Sequence, residues 1–222
     1  MKTIYFEEIS STNDYLKNLN DAEEDVLAIA KRQTGGRGTK GRSFLSEDGG
    51  VYLSLLRLNP CFAKDSFSIM MNSAMAVVKT LHSFDIKAKI KWPNDILVEG
   101  KKICGILIEN VFEGEMVARS VVGVGLNVNN ELAEEIAEIA TSTKQILKRE
   151  LAVPTVTATL AYHLLQNYGY AEYAKNLLFI GEEVTIVTQK STYKAIIDQV
   201  LPNGNLKTKD GQVFSAGEIS IR

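Results

Sequence analysis

Hydrophobic positions along the chain change period repeatedly, and each change predicts an element. Ile4, Phe6 and Ile9 are spaced for a short first strand. It ends in Ser10-Ser11-Thr12-Asn13, four good helix caps, after which Tyr15, Leu16 and Leu19 recur at helical spacing. Val26-Leu27-Ala28-Ile29-Ala30 and residues 51–58 read as strands. Phe67, Met70, Ala74, Val77 and Leu81 then mark one face of a long helix. Strand candidates 88–92, 96–98 and 103–108 follow, the last two as hairpin arms around Glu99-Gly100-Lys101. A further strand pair turns at Glu113-Gly114-Glu115, with Val111-Phe112 as one arm and 117–128 as the other. In that second arm Gly123 and Gly125 share one strand face, where a ligand or another backbone comes close. Residues 131–149 suggest two short helices, and Pro154 opens a long one running to about Lys175. Past Leu178 the pattern becomes short strands between Gly181, Pro202-Asn203-Gly204 and Asp210-Gly211, the signature of a small barrel-like unit. The expected division is 1–177 and 178–222, in an α+β chain whose first unit holds a mixed sheet with helices on one face.

Composition adds limits. The 222 residues, 45% hydrophobic and 23% charged, suit a soluble globular chain with one sizeable core and a small appendage. A net charge of −2 argues against a general nucleic-acid binder, which would spread positive charge over a face. Cys61 and Cys104 have neither metal spacing nor a disulfide pattern, which fits a reducing cytoplasm. No apolar run approaches the roughly 20 residues needed to span a bilayer, and acids at Glu7 and Glu8 do not fit a signal peptide.

Candidate chemistry gathers in one basic, glycine-rich run, Lys31-Arg32-Gln33-Thr34-Gly35-Gly36-Arg37-Gly38-Thr39-Lys40-Gly41-Arg42. Glycines let backbone N–H groups turn toward an anion, and arginines supply charge-assisted donors to it. A solvated surface loop is the bland alternative; its place between two strand candidates favours a phosphate or carboxylate cradle. Gly36-Arg37-Gly38-Thr39-Lys40-Gly41 matches the dinucleotide fingerprint, but no long helix follows and no acid ends the next strand. There is no Walker A loop, and having only two histidines, far apart, argues against a zinc site or a serine–histidine triad. Lys91-Trp92-Pro93-Asn94-Asp95 and Lys102-Ile103-Cys104-Gly105 complete the constellation, with Asp95 and Asn94 as oxygen donors suited to Mg2+ and Lys102 as a mobile cation.

Ser11-Thr12-Asn13, the 33–42 loop, 91–95, 102–109 and Gly123-Val124-Gly125-Leu126-Asn127 resemble, in order and spacing, the motifs of biotin protein ligases. The ending Gly217-Glu218-Ile219-Ser220-Ile221-Arg222 is similar too, so the resemblance covers essentially the whole chain. It implies a mixed-sheet catalytic domain with a C-terminal SH3-like barrel, and an ATP-dependent ligase that uses Mg2+. Biotin and ATP give biotinyl-5′-AMP, and biotin then passes to a lysine of a biotin carboxyl carrier protein. The roles implied are catalysis by Lys102, Arg37 and Arg42, and biotin binding by Ser11, Thr12, Asn13, Gln33, Gly36, Arg37, Tyr52, Gly105 and Gly125. ATP or AMP would meet Arg37, Gly38, Thr39, Lys40, Arg42, Phe44, Asn94, Lys102 and Asn127. Asp95, helped by Asn94 and Asn127, would hold Mg2+. A cytoplasmic homodimer is expected, paired edge to edge through the 117–128 strand and its neighbours.

Two departures from the family pattern stand out. The catalytic pattern begins at Ile4, with no winged helix ahead of it, so a monofunctional ligase without a DNA-binding role is expected. The loop usually reads G-R-G-R-x-G, and Thr39 replaces the second arginine. Lipoate ligases and octanoyltransferases are the nearest enzymatic alternative, and a non-enzymatic nucleic-acid module is the alternative from another class.

Overall fold

The structure, a computed structural model, describes residues 1–188, 190–217 and 219–221, without the side chains of Lys40 and Ser220. Glu218 and Arg222 of the family-like ending lie outside the described residues.

The first strands are β1 (Lys2–Ile9), β2 (Val26–Gln33) and β3 (Val51–Arg57), with α1 (Thr12–Lys17) between β1 and β2. Two-residue β4 (Cys61–Phe62) precedes α2 (Phe67–His82), and then come β5 (Lys89–Lys91), β6 (Asp95–Val98), β7 (Lys101–Glu113) and β8 (Met116–Leu126). They form one sheet in the order β1-β2-β3-β8-β7-β6-β5, with β4 attached to β8. β1 and β2 run parallel and the other pairs antiparallel, so the sheet is mixed as expected. Three helices follow, α3 (Thr143–Leu147), α4 (Val153–Leu164) and α5 (Tyr170–Lys175). A second, antiparallel sheet of β9 (Glu183–Thr188), β10 (Thr192–Val200), β11 (Leu206–Thr208), β12 (Val213–Phe214) and β13 (Ile219–Ile221) closes the chain.

Pairing register explains which face does what. Tyr52 pairs with Gly125, Gly125 with Gly105, and Gly105 with Asp95. One step along, Ser54 pairs with Gly123, and Gly123 with Leu107. Residues opposite one another in a ladder share a face, so these two rows lie side by side. The other face carries Leu53, Leu55, Val122, Val124 and Ile106 into the main core with α2 and α4. Burying such a side chain contributes about 1.5–3 kcal/mol, so this apolar face anchors the sheet. On the glycine face, a smaller cluster of Leu16, Val26, Ala28, Leu56 and Val121 seats α1.

Four expectations need correction. Helices do not keep to one face: α1 lies opposite α2, because Leu16 needs its own apolar seat. The expected helix 154–175 is two helices, broken where Tyr168 N–H donates to Asn72 Oδ1 and Gly169 caps α5 with extended backbone. Val111 and Phe112 belong to one thirteen-residue strand, whose register slips between them. The strand 117–128 is no edge: β8 is bonded by β3 and β7 on its two sides and cannot extend the sheet toward a second copy. At one end of the sheet the chain at 176–178 covers β5, through Ile90 N–H to Asn176 O and Leu178 N–H to Ile90 O. β1 ends the sheet on the other side.

Candidate functional site

The glycine face opens into a cavity of about 1090 Å3, at the upper end of ordinary small-molecule sites. Gly105, Gly123 and Gly125 form its floor. A Cβ on Gly125 would stand 2.5 Å from the Phe44 ring, and one on Gly123 would collide with the Asn13 amide. The glycines are thus required by what lies over them. The Phe44 ring lies over Gly125 and Gly105, with Tyr52 edge-on to it at 6.4 Å between ring centres.

One end of the cavity is neutral and polar. Gln33 Oε1 accepts from Thr12 N–H at 2.8 Å and from Thr12 Oγ1 at 3.0 Å. Thr12 Oγ1 and Ser54 Oγ are 2.7 Å apart, and Ser54 Oγ donates to Asn13 Oδ1 at 2.6 Å. Asn13 Nδ2 donates to Glu109 Oε2 at 3.1 Å, which fixes the amide's orientation. Ser11 accepts from Asp14 N–H as the cap of α1. Burial alone would raise the Glu109 pKa, but hydrogen bonds from Lys17 and Asn13, with the charge of Arg37, hold it below the usual carboxylate value.

The other end is charged. Lys102 Nζ lies 2.6 Å from Asp95 Oδ1, both side chains partly exposed. Asn94 pins its turn to β7 by donating from Nδ2 to Ile106 O at 2.9 Å. Asn127 is occupied structurally: its Nδ2 donates to Thr141 O, and its Oδ1 accepts from Asn130. It therefore tethers the 130–140 segment over the cavity instead of presenting a free ligand to a metal. Among the described residues no group of three His, Cys, Asp or Glu could hold a metal ion. A single carboxylate, Asp95, fits a Mg2+ that arrives with a nucleotide's phosphates, since such ions use one or two carboxylates and keep several waters.

The basic run separates into parts. Lys31 pairs with Glu7 and Asp48, and Arg32 with Glu8 and Glu47, so both brace the loop from outside. Arg37 is bound by Asp14 and, at 3.4 Å, by Glu109. Arg42 folds back on Thr39, donating to its carbonyl and to its hydroxyl. Gly38 and Thr39 line the cavity with them, whereas the Lys40 side chain lies outside the described residues. Gly36 and Tyr52 are not lining residues. A Cβ on Gly36 would collide with Phe44 O, and Tyr52, 1% exposed, donates its hydroxyl to Glu47 O. Burial pushes the Tyr52 phenol and the Cys104 thiol far above their ordinary pKa values, so both stay neutral.

Ser54, Leu107 and the 130–140 segment were missed as site residues. Ser54 had a signal: it is the small polar residue inside the otherwise apolar run Val-Tyr-Leu-Ser-Leu-Leu. The 130–140 segment had none, since only tertiary contact brings it over the floor.

The model of the biotin/lipoate A/B protein ligase family matches residues 5–127, more than half of the chain. The chain belongs to that family. It is 34% identical over 233 aligned positions to the bifunctional ligase/repressor BirA of Escherichia coli, covering 96% of this chain and 72% of that protein. The bifunctional ligase/repressor BirA of Bacillus subtilis is 38% identical over 149 positions, and the match covers 64% of this chain. The matched stretch is 46% of that relative's length. The structure of biotin protein ligase from Aquifex aeolicus in complex with biotin and ATP superposes with a TM-score of 0.82 at 26% identity, covering 100% of this chain and 98% of that one.

Proposed function

We propose that this chain is a biotin–protein ligase. The observation that carries the reading is one cavity with two chemistries: neutral amides and hydroxyls of Thr12, Asn13, Gln33 and Ser54 at one end, and the Lys102–Asp95 pair at the other, with Arg42 of the basic loop also in the lining. A glycine floor joins them, and with the Phe44 ring turned off it that floor would take an apolar acyl chain between a ureido-like head and a nucleotide. The Aquifex relative bound to biotin and ATP supports the same ligand pair.

In the first step a carboxylate oxygen of biotin attacks the α-phosphorus of ATP. The bond from that phosphorus to the bridging oxygen breaks, and pyrophosphate leaves with biotinyl-5′-AMP formed. Two anions must meet, so their repulsion sets part of the barrier. Lys102 at the charged end, with Arg42 and Arg37 from the loop, would neutralise the developing charge. Arg37 must exchange Asp14 for the ligand to do so. A Mg2+ held by Asp95 and the phosphates would add Lewis-acid stabilisation. In the second step the ε-amine of a carrier-domain lysine attacks the acyl carbon; AMP leaves and the amine gives up a proton. Thr12, Asn13 and Gln33 would hold the biotin head throughout.

In this reading residues 1–177 are the catalytic unit and 178–222 the SH3-like unit, working in the cytoplasm on a carboxylase's biotin carrier. A homodimer formed by sheet extension would use β1, the end strand. The deciding experiment is ATP–pyrophosphate exchange: it should require biotin, and a chain that exchanges with lipoate and not with biotin is a lipoate ligase instead.

A further inference from the structure

One of the polar contacts between the C-terminal unit and the first unit lies next to the charged end of the cavity. Trp92, the chain's one tryptophan, sits in the turn between β5 and β6 and is 2% exposed. Its indole offers a donor and no acceptor, so once buried it must find a carbonyl. It donates to Gly204 O at 2.9 Å, 112 residues away in sequence. That carbonyl is aimed by a tight turn of its own, in which Gly204 N–H donates to Leu201 O and Leu201 N–H to Asn205 O. Gly204 has φ of +87°, where a side chain is strained, and a Cβ there would collide with the Phe67 ring. Phe67 in turn packs edge-on against buried Tyr173, 5.7 Å between ring centres, and Tyr170 donates its hydroxyl to Val200 O. The 201–205 turn is therefore gripped from both sides.

From Trp92 the connection to the cavity is short. Asn94 exchanges two hydrogen bonds with Ile106, and the next residue, Asp95, holds Lys102. The Asp95–Lys102 pair is partly exposed, and exposed ion pairs do not fix their own geometry. Its position is inherited from the turn that carries Asp95. We propose that Trp92 is a positioning residue, through which the Gly204 carbonyl of the C-terminal sheet sets the Asn94–Asp95 turn and with it the Lys102 ammonium. The inference rests on Lys102 facing the α-phosphate.

The test uses full-length Trp92→Phe, which removes the N–H and keeps an aromatic ring, and Gly204→Ala, which displaces the carbonyl from the other side. In both, kcat of biotin-dependent pyrophosphate exchange, per site counted by active-site titration, should fall roughly ten- to a hundredfold, as small misplacements at a reacting centre do. KM for biotin should stay within about twofold, because the Thr12–Gln33 end is built on α1 and β2. Amide exchange at Ile106 should quicken in both variants, a readout that needs no activity. If Gly204→Ala does not fold, Trp92→Phe carries the test. Unchanged kcat per active site with unchanged Ile106 exchange overturns the proposal, as does an equal loss in kcat and biotin KM. A wild type that shows no biotin-dependent exchange sinks the ligase reading instead, and the Ile106 measurement then decides whether the strut exists.

Discussion

Ser54→Ala removes one oxygen from the middle of the polar network and leaves the sheet intact. Ser54 is fully buried and has two partners, Thr12 Oγ1 at 2.7 Å and Asn13 Oδ1 at 2.6 Å. Thr12 keeps a partner without it, since its hydroxyl also reaches Gln33 Oε1 at 3.0 Å. Asn13 Oδ1 loses the donor that the network supplies, and Gly123 beneath it brings no side chain to replace that donor. The loss is thus one orphaned buried acceptor, about 1–3 kcal/mol. For a chain of this length each kcal/mol moves Tm by about 2–4 °C, so a drop of roughly 2–12 °C is expected by calorimetry. Asn13 would also be released to rotate about the Glu109 contact, misaligning the neutral end of the cavity. Biotin binding measured by titration calorimetry should weaken about tenfold, equivalent to about 1.4 kcal/mol. A variant with Tm within a degree of wild type and biotin affinity within twofold would show that Ser54 neither satisfies Asn13 nor orders the site.

Lys102→Ala should cut biotin-dependent pyrophosphate exchange by about 10²–10³, the loss typical of one transition-state donor; because the pair with Asp95 is partly exposed, stability should change by at most about 1 kcal/mol. Activity within tenfold of wild type would remove Lys102 from the reaction. Glu109 has a lowered folded-state pKa, so its contribution to stability is present above the unfolded value near pH 4.3 and is lost as pH falls through the folded value. Denaturant titrations from pH 6 to pH 3 should therefore show a shallower acid limb in Glu109→Gln, and parallel curves would mean the carboxylate is not coupled to folding. Thr39 holds the Arg42 guanidinium by carbonyl and hydroxyl. Thr39→Arg should free Arg42, add a second cation to the loop and lengthen the lifetime of bound biotinyl-5′-AMP by about ten- to a hundredfold in rapid-quench experiments; an equal lifetime would mean that the loop's arginine count does not retain the intermediate.

Much of this architecture was written in local pattern. The helical stripe of α2 and the glycine-punctuated strands at the C-terminus reflect backbone periods of 3.6 and 2, which a half-buried element must repeat, and β3 is legible as a short apolar run buried on both faces. The paired glycines 123 and 125 marked a close approach before anything was known of what approaches. Local pattern could not say where the apolar stretch of β8 sits in the sheet, because an internal strand and an edge strand can carry the same residues. Gly169 was the one local mark of the break in the 154–175 helix, and the contact that holds the break open comes from Asn72, which lies on a different helix. The cations of the basic run looked alike in sequence; their partners at Glu7, Glu8, Asp14, Glu47 and Asp48 separate braces from candidate ligands, and those pairings exist only once β1, β2 and the loop are folded together. Residue types and their spacing fixed the chemistry available to the chain. Long-range pairing, which brings residues a hundred positions apart within 3 Å, decided which of those groups face a ligand and which hold the fold.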